Sequence, residues 1–588
     1  MHLYLDAVFR PLAIKPNTHH LKQEGWRYEA VPKASASTTG SGSSPSESGS
    51  SPSGSGSSPS GSGSSPSEVD CKVYPEACEL KYAGIVFSEM KGVFSSPELL
   101  EEQRRFQELF PDVSTYREVA GGDPEAIPQL TIPLLADFHK KYYAPSNAWV
   151  VLYGPDPVQE RLSLIDDYLT RHGLGAYKPP PVVIEEQPED EGVLIGCCVL
   201  DVVFPVYAEH RYASSASELK DWVTISWVLN PREAVASACK LFGEEERLLF
   251  RILHSLLTGT KTSPLYKALA DSNLGGPVHA PGLDLDPKQA VYTVGLKEVP
   301  QREGAAAAVE RVVMETLEQI VDKGFTPLQL AAALNKTEFS LRECPRKSLP
   351  RGLVFTRQMS QEITFGKDAM NALRFEDTLW RLRQRLAAGE KVFEKLIKKH
   401  LLQNTHRLTL RLKASREVAE ETAEKERRAL AAAAQQMGLE GIAAVAREQE
   451  ELKLLQTNPA SPEALASLPS LQREDIKPEG EEIGASLSPL LGSVPLVTHE
   501  LPSSSLVYVQ VALSLSDLSL ADIFYLPLLA RMMVETGTRE LSPDVMLPLV
   551  DKTAGGVSAS AVFTPRPDKP FTVPHPYAAR GFLFVSGK

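Results

Sequence analysis

The chain has 588 residues, 42% hydrophobic and 23% charged, a balance that excludes a collagen-like, a wholly disordered or a multi-span membrane protein. At about 150 residues per domain it holds roughly four domains' worth of chain. Acidic residues exceed basic ones by 75 − 62 = 13, which argues against nucleic-acid backbones or anionic lipid as main partners and allows a cationic substrate.

Six cysteines in this length do not make a disulfide framework, and Cys197 and Cys198 are adjacent, so a reducing compartment is expected. The longest apolar run, Val193 to Ala208, is broken by Asp201 and Pro205 and falls short of the about 20 residues of a membrane-spanning helix. The opening MHLYLDAVFRPLAIK has the layout of neither a secretory signal nor a transit peptide.

In chain order, the first marked feature is residues 34–68, where Pro45, Pro52, Pro59 and Pro66 recur every seven residues among Ser and Gly. Such sequence buries almost no apolar area, so it predicts a flexible, disordered insertion. Cys71 and Cys78 follow; six intervening residues without a nearby His make a weak metal signal. Ile85–Phe87 reads as a short buried strand, and Ser96 with Pro97 as a helix start. The segment 133–143 reads as a helix, and Trp149–Tyr153 before Gly154-Pro155 as a strand ending in a turn. Alternating strands and helices predict an α+β layer architecture.

A Pro-rich linker at 179–192 precedes a second unit. A helix over about 244–257 carries Leu249, Ile252, Leu253, Leu256 and Leu257 on one face, with His254 beside them as a hydrogen-bonded structural residue. Ser263-Pro264 starts another helix. Leu408, Leu410 and Leu412 alternate with Arg407, Thr409 and Arg411 as a half-buried closing strand. Residues 415–456 predict a helical hairpin: Glu421-Lys425 and Glu424-Arg428 are favourable i,i+4 pairs, the break falls at Gly438, and Ile442, Val445, Gln449 and Leu452 share a face. After the Pro-rich 459–478, alternation resumes at Leu506, Tyr508, Gln510 and Ala512, and Phe582–Val585 is an apolar run close to Lys588.

Neither HExxH nor its inversion HxxEH occurs among the twelve histidines, and no G-x-S-x-G elbow, P-loop or dinucleotide fingerprint is present. Gly121-Gly122-Asp123-Pro124 is turn chemistry. Longer strings are more specific: Gly84–Gly92 (GIVFSEMKG), Gly121–Pro128 (GGDPEAIP) and Phe138–Asn147 (FHKKYYAPSN) with Tyr153-Gly154. Tyr4–Phe9, Gln23–Trp26, Ser263–Leu265, Glu338–Glu343 and Pro350–Gly352 accompany them in order. Together they closely resemble the presequence protease and falcilysin branch of the pitrilysin-like, inverted-zincin peptidases, over nearly the whole chain except the Ser/Gly insertion.

That resemblance implies repeated α/β layer-sandwich domains in two hinged halves, joined by the helical hairpin around a chamber that admits unfolded peptides. The division it implies is 1–180 for part of a first peptidase domain, 190–414 for a second, 415–478 for the hairpin linker and 490–588 for the start of a third. The family's zinc is held by the two histidines of HxxEH and by a distant Glu in the SEMKG string, which here is Glu89; as a purely structural residue Glu89 would only favour a helix dipole. HxxEH should precede Tyr4 and does not, so two metal ligands and the base are missing. The expectation is a fragment of a zinc metalloendopeptidase of unfolded or targeting peptides, inactive as written. The alternative is a non-catalytic binding or assembly subunit. A mitochondrial or plastid-type organelle is the location the resemblance implies.

Overall fold

The computed structural model describes residues 1–15, 19–33, 70–110, 114–174, 205–229, 243–286, 289–343, 349–476, 482–490, 492, 494–565 and 579–588. The Ser/Gly repeat, the Pro-rich linker at 179–192 and Cys197-Cys198 lie outside the described residues.

The first part of the chain contributes α1 (His2–Phe9), β1 (Arg27–Pro32), β2 (Cys78–Ala83), α2 (Ile85–Val93), α3 (Pro97–Leu109), α4 (Ile132–Tyr142) and α5 (Val158–Arg171). β1 and β2 pair antiparallel, Ala30 opposite Leu80. Ser96 and Pro97 start α3 as expected, and Thr131 caps α4 by accepting from the Leu134 N–H. Two expectations fail. Ile85–Phe87 is the first turn of α2 rather than a strand, because the strand ends one residue before Gly84; Ile85 and Val86 are exposed, while Phe87 and Met90 are buried at helical spacing. Trp149–Tyr153 is not a strand either: no described strand lies beside it, and Trp149 stays 69% exposed. Apolar alternation makes a strand only where a neighbour accepts its backbone hydrogen bonds.

Next come β3 (Val206–Ala213), β4 (Lys220–Val228), α6 (Glu244–Thr258), α7 (Pro264–Asp271), β5 (Val278–Asp284), β6 (Val291–Pro300), α8 (Ala305–Lys323), α9 (Pro327–Glu343), α10 (Arg351–Thr364), α11 (Glu376–Ala387), α12 (Val392–Ile397) and β7 (Arg407–Ser415). The strands form one sheet in the order β3-β7-β4-β6-β5, parallel only between β3 and β7. Val223, Ile225 and Trp227 of β4 face the helices, where the predicted stripe Leu249, Ile252, Leu253, Leu256 and Leu257 packs with Val313, Leu317 and Phe393. Burying one such side chain contributes about 1.5–3 kcal/mol. The opposite face is covered by α3, whose Phe106 and Leu109 pack with Phe110 on Val228, Leu408 and Leu410. β7 is therefore not half-buried as expected: its polar side lies under α8, where Glu310 accepts from Thr409 Oγ1 at 2.9 Å and pairs with Arg407 at 2.9 Å.

α13 (Glu417–Thr457) is the expected hairpin, two helices meeting at Gly438, whose φ of 67° is the left-handed region glycine enters freely. The predicted stripe faces β1, Gln449 Oε1 accepting from the Ala30 N–H at 3.2 Å. Arg428 pairs with Glu424, but Glu421 and Lys425 turn to tertiary partners, Arg211 and Glu125. Beyond lie β8 (Ser486–Leu490), β9 (Val494–Thr498), β10 (Val509–Ser514), α14 (Leu520–Ile523), α15 (Leu526–Glu535), α16 (Pro543–Thr553), β11 (Val557–Pro565) and β12 (Ala579–Gly587). The apolar run Phe582–Val585 lies in β12, the central strand of a sheet ordered β10-β12-β11. The chain is thus α+β throughout. No helix among the described residues is long and apolar enough to cross a membrane.

Cys71 and Cys78 are bonded to each other, with Cα atoms 5.8 Å apart. The expectation of no disulfides is corrected at this pair. The spacing that was poor for a metal suits a short covalent loop, because the turn at Cys71 brings the two Cα atoms within bridging range.

Candidate functional site on the Glu89 helix

Gly84 sets the geometry. Its φ is 131°, and a Cβ there would run into the Gly25 carbonyl oxygen and Trp26 Cα, so only glycine lets β2 turn into α2 against this backbone. Gly84→Ala is expected to destabilise the corner by about 1–3 kcal/mol, seen as faster amide hydrogen exchange over residues 84–93. Unchanged exchange would refute the close-packing argument.

From that corner α2 lays Phe87 and Met90 into a cluster with Ile127, Trp26, Tyr82, Phe94 and Val119. The Tyr82 and Phe87 rings lie 5.3 Å apart, and Tyr28 stacks on Tyr82 at 5.5 Å. Met90 Sδ fills the space beside Gly121 that a Cβ would need. The Gly121–Pro124 turn forms as read, with Gly122 at φ 94° and Asp123 Oδ1 accepting from the Glu125 N–H at 2.7 Å. Trp26 Nε1 donates to the Leu130 carbonyl at 3.0 Å, His139 Nε2 donates to the Val8 carbonyl at 2.8 Å, and Tyr143 stacks on His139 at 4.8 Å. Five strings far apart in sequence thus converge around one short helix.

With Phe87 and Met90 turned inward, Glu89 is exposed and makes no hydrogen bond or ion pair with any described residue. Its neighbour Lys91 is tied to Glu426 at 2.6 Å. A helix-dipole role loses force, because Glu89 sits in the second turn of α2 and the dipole effect fades beyond the first. Glu89 is therefore a carboxylate held outward without a local partner. Zinc requires about three protein donors plus a water in a catalytic site. Among the described residues no group of three or more His, Cys, Asp or Glu is placed to hold a metal, so these residues alone do not fit the ion.

His254 is the structural residue expected of it, its Nδ1 3.1 Å from Thr258 Oγ1 and 3.4 Å from the Tyr292 hydroxyl. A network that spacing alone did not reveal ties α3, and with it α2, to the five-stranded sheet. Glu101 is 1% exposed, accepts from Thr224 Oγ1 at 2.8 Å and faces Arg105 at 3.3 Å and His279 at 3.8 Å. Burial pushes the Glu101 carboxyl up, but Arg105, His279 and Thr224 outweigh it and leave it below its ordinary value. The signal available was the i,i+4 pair Glu101-Arg105, which in sequence reads as a surface pair. Beside the end of α2 a cavity of about 330 Å3 is lined by Val93, Phe94, Phe106, Tyr116 and Asp284, and burial pushes the Asp284 carboxyl up.

The family described as peptidase M16 inactive domain matches residues 129–337, and the family described as associated with peptidase M16, subfamily C, matches residues 412–584. Over 561 residues the chain is 30% identical to presequence protease 1, chloroplastic/mitochondrial, of Arabidopsis thaliana, covering 95% of this chain and 46% of that protein. It is 27% identical over 492 residues to the mitochondrial presequence protease of Danio rerio, covering 83% and 45%. The crystal structure of the periplasmic protease PqqL from Escherichia coli aligns at 14% identity and a TM-score of 0.38, covering 86% of this chain and 50% of that one. The chain spans a little under half the length of the two curated relatives.

Proposed function

We propose that this chain, which belongs to the presequence-protease branch of the pitrilysin-like peptidase family, supplies the carboxylate ligand and part of the wall of a zinc endopeptidase that takes in unfolded or targeting peptides. The observation that carries the reading is the outward, unpartnered Glu89 in an intact SEMKG string, with the other family strings packed around its helix. The two imidazoles and the general base are not encoded in these 588 residues, which contain no HxxEH. One carboxylate neither holds zinc tightly nor replaces that base, so the chain by itself is inactive. Its own residues fix the position of Glu89 and, through the cavity beside α2, offer apolar walls with an acidic group, which suits the basic side chain of a targeting peptide. We read residues 1–180 and 190–414 as two related peptidase domains, 415–478 as their hairpin linker and 490–588 as part of a third.

The test is zinc content and peptidase activity of the natural full-length protein. Loss of even an outer-shell partner costs about 10–100-fold in metal affinity, so Glu89→Gln is expected to weaken zinc binding at least that much. Undisturbed zinc in the variant, or transcripts without HxxEH ahead of this region, would refute the assignment. A second reading, a non-catalytic binding subunit, draws support from the inactive-domain match over 129–337; a folded, zinc-free natural protein that still binds peptides would favour it.

A further inference from the structure

We infer that the Cys71–Cys78 disulfide is a redox-sensitive clasp that holds the α13 hairpin on the β1–β2 ribbon. Both cysteines are buried, 7% and 3% exposed, in one apolar cluster with Ala30 and Leu80. Leu430 and Met437 enter that cluster from the hairpin arm before Gly438, and Ile442 and Val445 enter it from the arm after. The sulfurs therefore sit where both arms meet the ribbon. Around the rim the hold is weak: Lys72 pairs with Glu450 at 2.6 Å and Lys22 with Glu448 at 2.5 Å, all four side chains a third or more exposed, and such pairs contribute little. The apolar cluster is what docks the hairpin.

The bond is reachable although the sulfurs are buried, because the short loop it closes carries Val73 and Tyr74, 61% and 56% exposed, so local opening suffices. The reductant is of the dithiol class. One of its thiolates attacks a sulfur of the disulfide to form a mixed disulfide and release the other cysteine. Its second thiol then resolves that bond, so the reductant leaves as its own disulfide and Cys71 and Cys78 each gain a hydrogen, two electrons in all. Two free thiols no longer share a bond length and must find separate volume in a close-packed cluster, which strains it. Reduction also lifts the constraint on the loop. Because α13 lies between β7 and the strands after residue 485, the clasp governs how firmly the last part of the chain is carried.

Mass spectrometry of the non-reduced protein, alkylated and digested, is expected to find Cys71 linked to Cys78; free alkylation of both would overturn the inference. Hydrogen exchange with and without dithiothreitol then reads the switch. On reduction, amides over 430–446 are expected to exchange on the order of tenfold faster, reversibly on reoxidation, while β4 and β6 stay unchanged. Equal exchange in both states means a static staple and overturns it. The double variant Cys71→Ser/Cys78→Ser should exchange like the reduced protein, and oxidised-like exchange would count against the clasp; should the variant not fold, the wild-type comparison decides alone.

Discussion

Asp221→Ala is expected to lower stability by about 3–5 kcal/mol, the usual cost of removing one partner of a buried ion pair. Asp221 is fully buried at the start of β4. Its carboxylate pairs with Arg411 Nη2 at 2.6 Å and accepts from the Ala414 N–H at 3.0 Å and Gln301 Nε2 at 2.7 Å. One side chain thus joins β4, β7 and the segment after β6. Alanine leaves a buried backbone donor without an acceptor, worth about 1–3 kcal/mol, and deprives Arg411 of its nearest counter-charge. Arg411 keeps Glu209 at 3.2 Å, which tempers the loss. In a unit of this size the thermal midpoint should fall on the order of 10 °C. Adding Arg411→Met to Asp221→Ala should cost little more, because the stranded charge goes too. A single variant melting with wild type, or a double variant at the sum of two full losses, would show that the network does not hold the sheet.

Acid is expected to destabilise the fold well before its carboxylates titrate. His406 is buried between α3 and β7, its Nε2 donating to the Leu109 carbonyl at 3.3 Å, and burial, partly offset by that bond, takes its pKa from 6.5 to about 4. Burial also lowers His400, whose Nδ1 donates to the Leu229 carbonyl at 2.9 Å, and His254. All three are held neutral in the fold and take a proton near their ordinary value when unfolded. The unfolded chain therefore gains protons first: their contribution is whole above about pH 6.5 and is lost as pH falls toward 4 for His406. At pH 5 His406 alone accounts for about 2 kcal/mol. Denaturant midpoints at pH 7.5 and pH 5 should differ accordingly, and His406→Gln should shrink the difference by that amount. An unaltered pH dependence in the variant would place the acid sensitivity elsewhere.

Much of the candidate site was legible in sequence because its signals are local and specific. The SEMKG string singles out Glu89, and the turn at Gly121–Pro124 needs only the glycines and Asp123 that the text displays. The packing of those strings around α2 was not legible. No spacing says that Met90 fills the gap beside Gly121, or that Glu101, read as one half of a surface pair, lies buried under β4.

By itself the sequence determined the helix starts at Ser96-Pro97 and Ser263-Pro264, the break at Gly438, the stripe of α6, the face of the hairpin that carries Gln449, the absence of HxxEH and the family. Each is settled within a turn or two of backbone, by a cap, a φ that only glycine enters freely, a periodicity, or a string of side chains. Only the tertiary structure decided that Ile85–Phe87 coils, that Trp149–Tyr153 goes unpaired, that both faces of β7 are covered and that Cys71 bonds Cys78. Those outcomes depend on which surface lies alongside, and a short apolar run satisfies helix and strand equally until a distant neighbour supplies, or withholds, its hydrogen-bond partners and packing.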